Sequence, residues 1–396
     1  MKKVLKSVLA VAAAASLMAA AVPTFAAEAP TEGGTIIWLS NLQSGAQYDS
    51  AVNYMTALCE ARGYDFQVVY GDSNNDAAGN LQQVKNAMTS DVKGIIASQD
   101  GGLATIMEEY PDVYVVGYNT DMNSVFADGE NAACLENDHF LGTIADGYVN
   151  GEDAAKTYFN ECIEKGYKKV AVVNFPAFAY PNLEVAANAF ISMVDEYNAT
   201  AADEDKIEIV GEITTLMFSP LEDSWFLEDG HSDLDAIIGC CAGIGFIYPT
   251  LVTAIANGTC SPATKLVTSG FESDEAITCN IGDSEGKIIS AVTISAAENP
   301  AYSFVLLDNA ITGNQYDDFE VTRVDSFEFI IDSDADIENV LTKSLCGTAD
   351  VEMAMISVDT VVNELCKANN PDATFAQLQE IFHNADILST DAIAAK

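Results

Sequence analysis

From residue 35 onward, short apolar runs alternate with amphipathic stretches, with polar residues and glycines between them. Thr35-Ile-Ile-Trp-Leu-Ser40 is an unbroken apolar run, the pattern of a strand buried on both faces. Over 48–62, Val52, Met55 and Cys59 recur at helical spacing and Gly63 supplies a stop, which predicts a helix. The same reading gives strands at 66–70, 94–98 and 113–118, with helices at 80–90 and 103–109 between them. A helical stretch at 138–166 opens a second series. Its strands are expected at 169–174, 207–213, 236–239, 266–268 and 288–294, and its helices at 182–197, 246–257, 273–281 and 300–312. Apolar strands that alternate with helices, rather than with each other, predict parallel sheets covered on both faces. The expected class is α/β, with two doubly wound parallel-sheet lobes. From about 332 the strand series stops. Leu341, Leu345, Met355, Val358, Val362, Leu365 and Leu378 keep helical spacing, so a helical C-terminal extension packed on one lobe is expected.

The first 26 residues follow another pattern. Basic residues at 2 and 3 precede an apolar, alanine-rich stretch from 8 to 22, and Thr24-Phe25-Ala26 places small residues at the −3 and −1 positions of a cleavage site. This is the layout of a secretory signal, cut after Ala26, and predicts an exported protein, periplasmic or extracellular. The mature chain offers no second run long enough to insert in a membrane. Charge agrees with export of a well-solvated protein. There are 60 acidic and 17 basic residues, a formal net charge of −43, and three of the lysines lie in the leader. Such a field repels phosphate backbones and excludes nucleic acid as a partner. Nine cysteines, no C-x-x-C pair and three histidines support neither a zinc cage nor a fully paired disulfide framework, so no metal is expected. Most cysteines fall in apolar patterns and read as small buried hydrophobes, although one or two bridges stay open.

In open parallel sheets ligands bind beyond the carboxyl ends of the strands. That rule selects the loops 41–48, 98–100, 118–120, 175–180, 214–218, 240–245, 271–272 and 293–295. These are rich in aromatics, amides and hydroxyls, with two carboxylates and no Lys, Arg or His. The candidate ligand-binding residues are Gln47, Tyr48, Ser98, Gln99, Asp100, Asn119, Thr120, Phe178, Phe218, Cys241, Glu272 and Thr293. Aromatic faces stack on flat or CH-rich ligands, and amides and hydroxyls orient them. The chain lacks H-E-x-x-H and G-x-x-x-x-G-K-[ST], and Gly243-Ile-Gly245 lacks the third glycine of a dinucleotide loop. His231 precedes a strand that Cys240 and Cys241 follow, which puts them at opposite ends of it. No catalytic residue and no cofactor are therefore assigned.

Three stretches carry a resemblance: 63–76 (GYDFQVVYGDSNND), the helix and Gly-Ile-Ile strand of 80–98, and Thr268-Ser269-Gly270-Phe271-Glu272. With the leader and the two-lobed pattern, the chain resembles the ribose-binding-protein-like sugar-binding proteins of ABC transporters, over about residues 35–323. The resemblance implies two lobes joined by three crossovers, near Asn137, Ser295 and Arg323, that close on a ligand by hinge motion. Lobe 1 is then expected at 33–137 and 296–322, lobe 2 at 138–295 and 323–332, and the extension at 333–396. Residue by residue, Tyr48 falls at an aromatic stacking position in the loop 45–48, and Phe218 fits a second aromatic wall. Ser98 stands in place of the family's Asn, and Asn119-Thr120 in place of an Asp-Arg pair. Ala186, ahead of Phe190, replaces an arginine; Cys241 replaces an Asn; Glu272 replaces the Asp of a Gly-Phe-Asp motif. With both arginines gone, a larger, less polar or more aromatic ligand than a simple sugar becomes credible. The implied function is capture of a small neutral ligand, sugar-like or nucleoside-like, by a monomer that delivers it to an ABC permease at the membrane. The alternatives are a ligand-sensing partner of a membrane receptor or kinase, and a secreted enzyme on the same scaffold using Asp100 and Glu272.

Overall fold

The computed structural model describes residues 33–72, 74–145, 151–177 and 180–396. Lobe 1 begins with β1 (Thr35–Ser40), α1 (Ala46–Arg62), β2 (Asp65–Tyr70), α2 (Ala77–Ala87), β3 (Val92–Ala97), α3 (Leu103–Glu109), β4 (Tyr114–Tyr118), α4 (Asn123–Phe126) and β5 (Phe140–Ile144). Lobe 2 follows with α5 (Glu152–Lys165), β6 (Lys169–Asn174), α6 (Pro181–Asn198), β7 (Glu208–Ile209), β8 (Thr214–Thr215), β9 (Ala236–Cys240), α7 (Gly243–Phe246), α8 (Tyr248–Asn257), β10 (Lys265–Ser269), α9 (Glu275–Thr278) and β11 (Ile289–Ser295). The chain returns through α10 (Pro300–Ile311), β12 (Arg323–Val324) and β13 (Glu328–Ile331).

Among the described residues the strands form two sheets, in the orders β12-β5-β4-β3-β1-β2 and β13-β11-β10-β9-β6-β7, with β8 also paired to β6. The pairs are parallel except β11 with β13. Each sheet is apolar on both faces. In β1, Ile36 and Trp38 join one core cluster while Ile37 and Leu39 join another, as alternate residues on a strand must. α1 buries Ala51, Tyr54, Met55, Leu58 and Cys59 along one stripe, and Gly63 ends it in the left-handed conformation (φ 75°) with its amide on the Cys59 and Glu60 carbonyls. All nine cysteines are free thiols; Cys279 is exposed and the other eight are buried. Among the described residues no helix is long and apolar enough to cross a membrane.

The stretch 138–166 is not continuously helical. Phe140–Ile144 is a buried strand that pairs with β4, so the first sheet extends past the expected boundary at 137. Likewise Arg323–Val324 pairs with β5 and belongs to the first sheet, not to lobe 2. The chain therefore changes lobe after Ala145, at 296–299 and at 325–327. Of the expected strand at 207–213 only β7 forms, with β8 following just beyond it, and the helix at 273–281 shrinks to α9.

The extension is helical: α11 (Asp334–Lys343), α12 (Leu345–Thr348), α13 (Val358–Thr360), a π turn at Val361–Leu365, α14 (Phe375–Ile381), α15 (Ala385–Leu388) and α16 (Thr390–Ala395). It packs on both lobes rather than one. Leu345, Leu365, Phe375 and Leu388 lie in a cluster with Trp38 and Tyr54 of lobe 1, whereas Ile337, Val340 and Ile393 lie in one with Ile331 of lobe 2. Helical periodicity marks an apolar stripe but carries no information about which core receives it.

Candidate functional site

The two lobes meet at the carboxyl ends of their strands. The loop after β1 delivers Gly45 and Ala46, and the loop after β10 delivers Glu272. Gly45 caps α1 at φ 102° with no side-chain acceptor, so the first amides of this 17-residue helix need another partner. The Glu272 carboxylate, from the opposite lobe, accepts from the Ala46 amide. A β-carbon at position 45 would stand 3.3 Å from Glu272 Oε2, so this close approach favours glycine there. Burial holds the Glu272 carboxyl above its ordinary range; the Ala46 amide opposes that shift and Asp274 adds to it. This arrangement therefore takes up protons relative to the unfolded chain. We expect the contribution of Glu272 to stability to grow as the pH is lowered from 7 towards 5, and Glu272→Gln to remove that part of the pH dependence; denaturant melts of both proteins across the pH series measure it.

Four aromatic rings line the lobe 1 side. Trp38, fully buried on β1, stacks on Tyr48 (centroids 5.8 Å, 24°) and meets Tyr118 edge-on at 5.8 Å. Tyr48 and Tyr70 share a hydrogen bond between their hydroxyls at 2.8 Å. Burial and the Tyr70 hydroxyl push the Tyr48 phenol up to about 12. Ser98 holds this stack from beneath: its Oγ accepts from Trp38 Nε1 (2.9 Å) and donates to the Tyr118 carbonyl (2.8 Å). Gln47 lies half-buried in the first turn of α1 beside Tyr48.

The other lobe 1 candidates serve the loops themselves. Gln99 is buried and donates through Nε2 to the Asp72 carbonyl at 2.7 Å. Asp100 Oδ1 accepts from Asn75 Nδ2 (2.8 Å), and its Oδ2 accepts from the Ser124 amide (3.2 Å) and hydroxyl (2.6 Å). Asn80 and Asn131 continue this network to Asp72, Gly101 and Ala104. It braces the turns after β2, β3 and β4 and engages both oxygens of Asp100. Asn119 sits at φ 57°, a left-handed conformation that asparagine tolerates. The Thr120 carbonyl accepts from Thr143 Oγ1 at 2.7 Å. Arg323 lies near these loops, a cation the strand-end reading did not include. Its Nη1 donates to the Asp121 carbonyl (3.3 Å) and Asn123 Oδ1 (2.9 Å), and its guanidinium sits 5.6 Å from the centre of the Phe126 ring.

Lobe 2 contributes a second aromatic wall. Phe175, just after β6, is 5.6 Å from Phe218, 5.8 Å from Tyr180 and 4.9 Å from Phe246 between ring centres. Phe175 is buried, while Tyr180 and Phe218 are 45% and 46% exposed. Phe218 holds φ 57°, a strained conformation for a bulky residue and one that clusters at ligand clamps. Phe178 lies outside the described residues. Cys241 is buried, with its thiol pushed up to about 12 by burial, and its carbonyl accepts from Thr268 and Ser269. Thr293 is a buried residue of β11, paired across from Ile330. His231 stacks on Trp225 at 3.9 Å, with Nδ1 2.9 Å from the Trp225 carbonyl, beyond the amino end of β9 and away from the cysteines.

Glu272 thus meets the first turn of α1, which carries Gln47 and Tyr48, and Phe218 stands in the aromatic cluster of lobe 2. Ser98, Gln99, Asp100 and Cys241 act as supports. Tyr70 and Phe246 were missed by the strand-end reading. Tyr70 is the last residue of β2, and applying the same rule to that strand selects it. Phe246 lies one residue past the loop taken after β9. The arrangement offers ring faces, amides and one carboxylate, which is recognition chemistry. Among the described residues no three His, Cys, Asp or Glu converge on a metal-sized site. An open surface groove of about 510 Å³ lies elsewhere, between residues 278–287 and α11, where Lys287 pairs with Asp334 at 3.2 Å.

No protein-family model and no curated protein matches the sequence. Solved structures do match. An ABC transporter periplasmic solute-binding protein from Actinobacillus succinogenes, with bound D-allose, superposes with a TM-score of 0.56 at 12% identity, over 76% of this chain and 97% of its own. A solute-binding protein from Agrobacterium vitis, bound with α-D-tagatopyranose, gives 0.55 at 15% identity, over 81% and 99%. An ABC sugar transporter subunit from Rhodobacter sphaeroides gives 0.52 at 12%, over 76% and 99%. At these identities it is the architecture that is shared: this chain has the two-lobed α/β fold of the ABC-transporter sugar-binding proteins.

Proposed function

We propose that the protein is an extracytoplasmic solute-binding protein that closes its two lobes on a small neutral ligand, sugar-like or nucleoside-like, and delivers it to an ABC importer. The observation that carries this reading is the seam itself. Aromatic walls from two sheets flank a cross-lobe contact between Glu272 and the amino end of α1. The bound sugars of the structures sharing the fold support it, as does the leader sequence. Binding needs no chemistry here; closure on the ligand and release from it are the activity. The protein acts as a monomer, because each chain carries both walls.

The ligand is uncharged. An anionic group near Glu272 meets a like charge: at about 5 Å and an effective dielectric of about 20 the repulsion is on the order of 3 kcal/mol, and solvent screening reduces it to about 1–2 kcal/mol. A sugar phosphate is therefore expected to bind roughly ten-fold or more weaker than its parent sugar. Mass spectrometry of small molecules released from the denatured purified protein identifies the ligand, and titration with neutral sugars, nucleosides, amines and sugar phosphates ranks the classes. Tight binding of a phosphate with weak binding of every neutral compound overturns the reading. Conversion of the recovered ligand on incubation with fresh protein would replace it with an enzyme.

A further inference from the structure

The tail changes lobe twice. α11 belongs to lobe 2, where Ile337 and Val340 share a core with Ile331 of β13. One residue later the chain lies along α1 of lobe 1. Ser50 Oγ donates to the Leu345 carbonyl (2.9 Å), Asn53 Nδ2 to the Ala349 carbonyl (2.8 Å), and Tyr54 Oη to the Ile356 carbonyl. α14 stays on lobe 1, with Phe375 and then Phe382 against Tyr302. α16 then returns: Ile393 enters the same core as Ile337, and Lys343 Nζ donates to the Ala394 carbonyl at 2.9 Å.

Both joints are short. Ser344 alone separates α11 from α12. It is 3% exposed, and its hydroxyl donates to the Val340 carbonyl (2.8 Å) and accepts from the Gly347 amide (3.3 Å). Ser389 alone separates α15 from α16 and caps the latter through the Ala392 amide. Lys396 then spans back, donating to the carbonyls of Glu352 (3.3 Å) and Ala354 (3.2 Å). Between these joints Met355 packs against both lobe cores, as do Ala297 of the second crossover and Phe327 of the third. The Met355 amide donates to Glu298 Oε1 at 2.8 Å, a buried carboxyl in the second crossover.

Lobes joined by crossovers alone open when a few backbone dihedrals in those segments rotate. Here the same rotation must also turn two pinned joints, and slide Met355 off one core or the other. We infer that the C-terminal tail is a strap across the hinge, which confines the lobes to a narrow range of angles and limits how far they open. This follows from the packing alone and is independent of what the cleft binds.

Spin-label distances test it without a ligand. Cys279 is the exposed native thiol, and Gln83→Cys on the exposed face of α2 supplies a label in the other lobe. In the otherwise intact chain the distance distribution is expected to be single and narrow. Deleting 390–396, or combining Met355→Ala with Lys396→Ala, should add a second, longer population. A melting curve establishes that each variant is folded. If the deletion fails to fold, the two side-chain replacements decide. A broad or two-population distribution in the intact chain, or an unchanged narrow one in the folded double variant, overturns the strap.

Discussion

Phe218→Ala is expected to cost roughly 1–3 kcal/mol of ligand binding, about 5- to 150-fold in affinity, with little loss of stability. The ring is half-buried and leans on Phe175 and Tyr180, so its truncation removes little of the lobe 2 core. The backbone supplies a second, independent expectation. Phe218 is held at φ 57°, a conformation that costs an L-residue with a β-carbon about 1–2 kcal/mol. Phe218→Gly removes that strain and Phe218→Ala keeps it. The glycine variant should therefore be the more stable of the two by about 1 kcal/mol, while both lose the same affinity. Calorimetric titration with the ligand recovered from the protein, beside denaturant melts of the pair, reads both quantities. Equal stability of the two variants would mean that the strain is not there. Unchanged affinity in both would mean that the wall does not face the ligand.

The reach of the sequence can be judged from particular segments. β1 and β6 were legible because a strand buried on both faces needs an unbroken apolar run, and 35–40 and 169–174 have one. β5 was not. Its run is five residues long, directly beside a long helical pattern, and contains Gly142 at φ 89°. Periodicity cannot separate so short a run from buried helix. Its assignment rests on distant chain: Thr143 pairs with Arg323, and the backbone of Thr322 comes so close that a β-carbon on residue 142 would collide with it. The candidate site divides in the same way. The strand-end rule selected Tyr48, Phe218 and Glu272 because it depends only on where a strand stops. It also selected Asp100, whose carboxylate has the composition of a ligand group but is engaged by Asn75 and Ser124, residues from two other turns. Mutual satisfaction of loop polar groups is set by tertiary approach, and no local spacing encodes it. The partner of Glu272 was equally hidden, since a backbone amide at Ala46 has no sequence signature.

Asp308→Ala should be among the most destabilising single substitutions in the chain, by about 3–5 kcal/mol, the range for removing one member of a buried ion pair. Asp308 sits on α10 with its side chain fully buried. Its Oδ1 accepts from Arg62 Nε and Tyr64 Oη, both at 2.9 Å, at the far end of α1 from the cleft. Arg62 is itself only 16% exposed, so removal of the carboxylate strands a largely desolvated cation and a phenol together. The neighbouring residues tie in the tail. Arg62 Nη1 reaches Asn369 Oδ1 at 3.3 Å, and the Lys367 amide donates to Asn309 Oδ1 at 2.8 Å. The cost comes from the stranded partner more than from the pair, because desolvating both charges already offsets much of their attraction. Arg62→Ala in the Asp308→Ala background should therefore cost less than it does alone, with a coupling of roughly 1–3 kcal/mol. Denaturant melts of the parent, both single variants and the double variant measure it. Strict additivity would show that Arg62 finds water in the folded protein, and that Asp308 matters for packing rather than for charge.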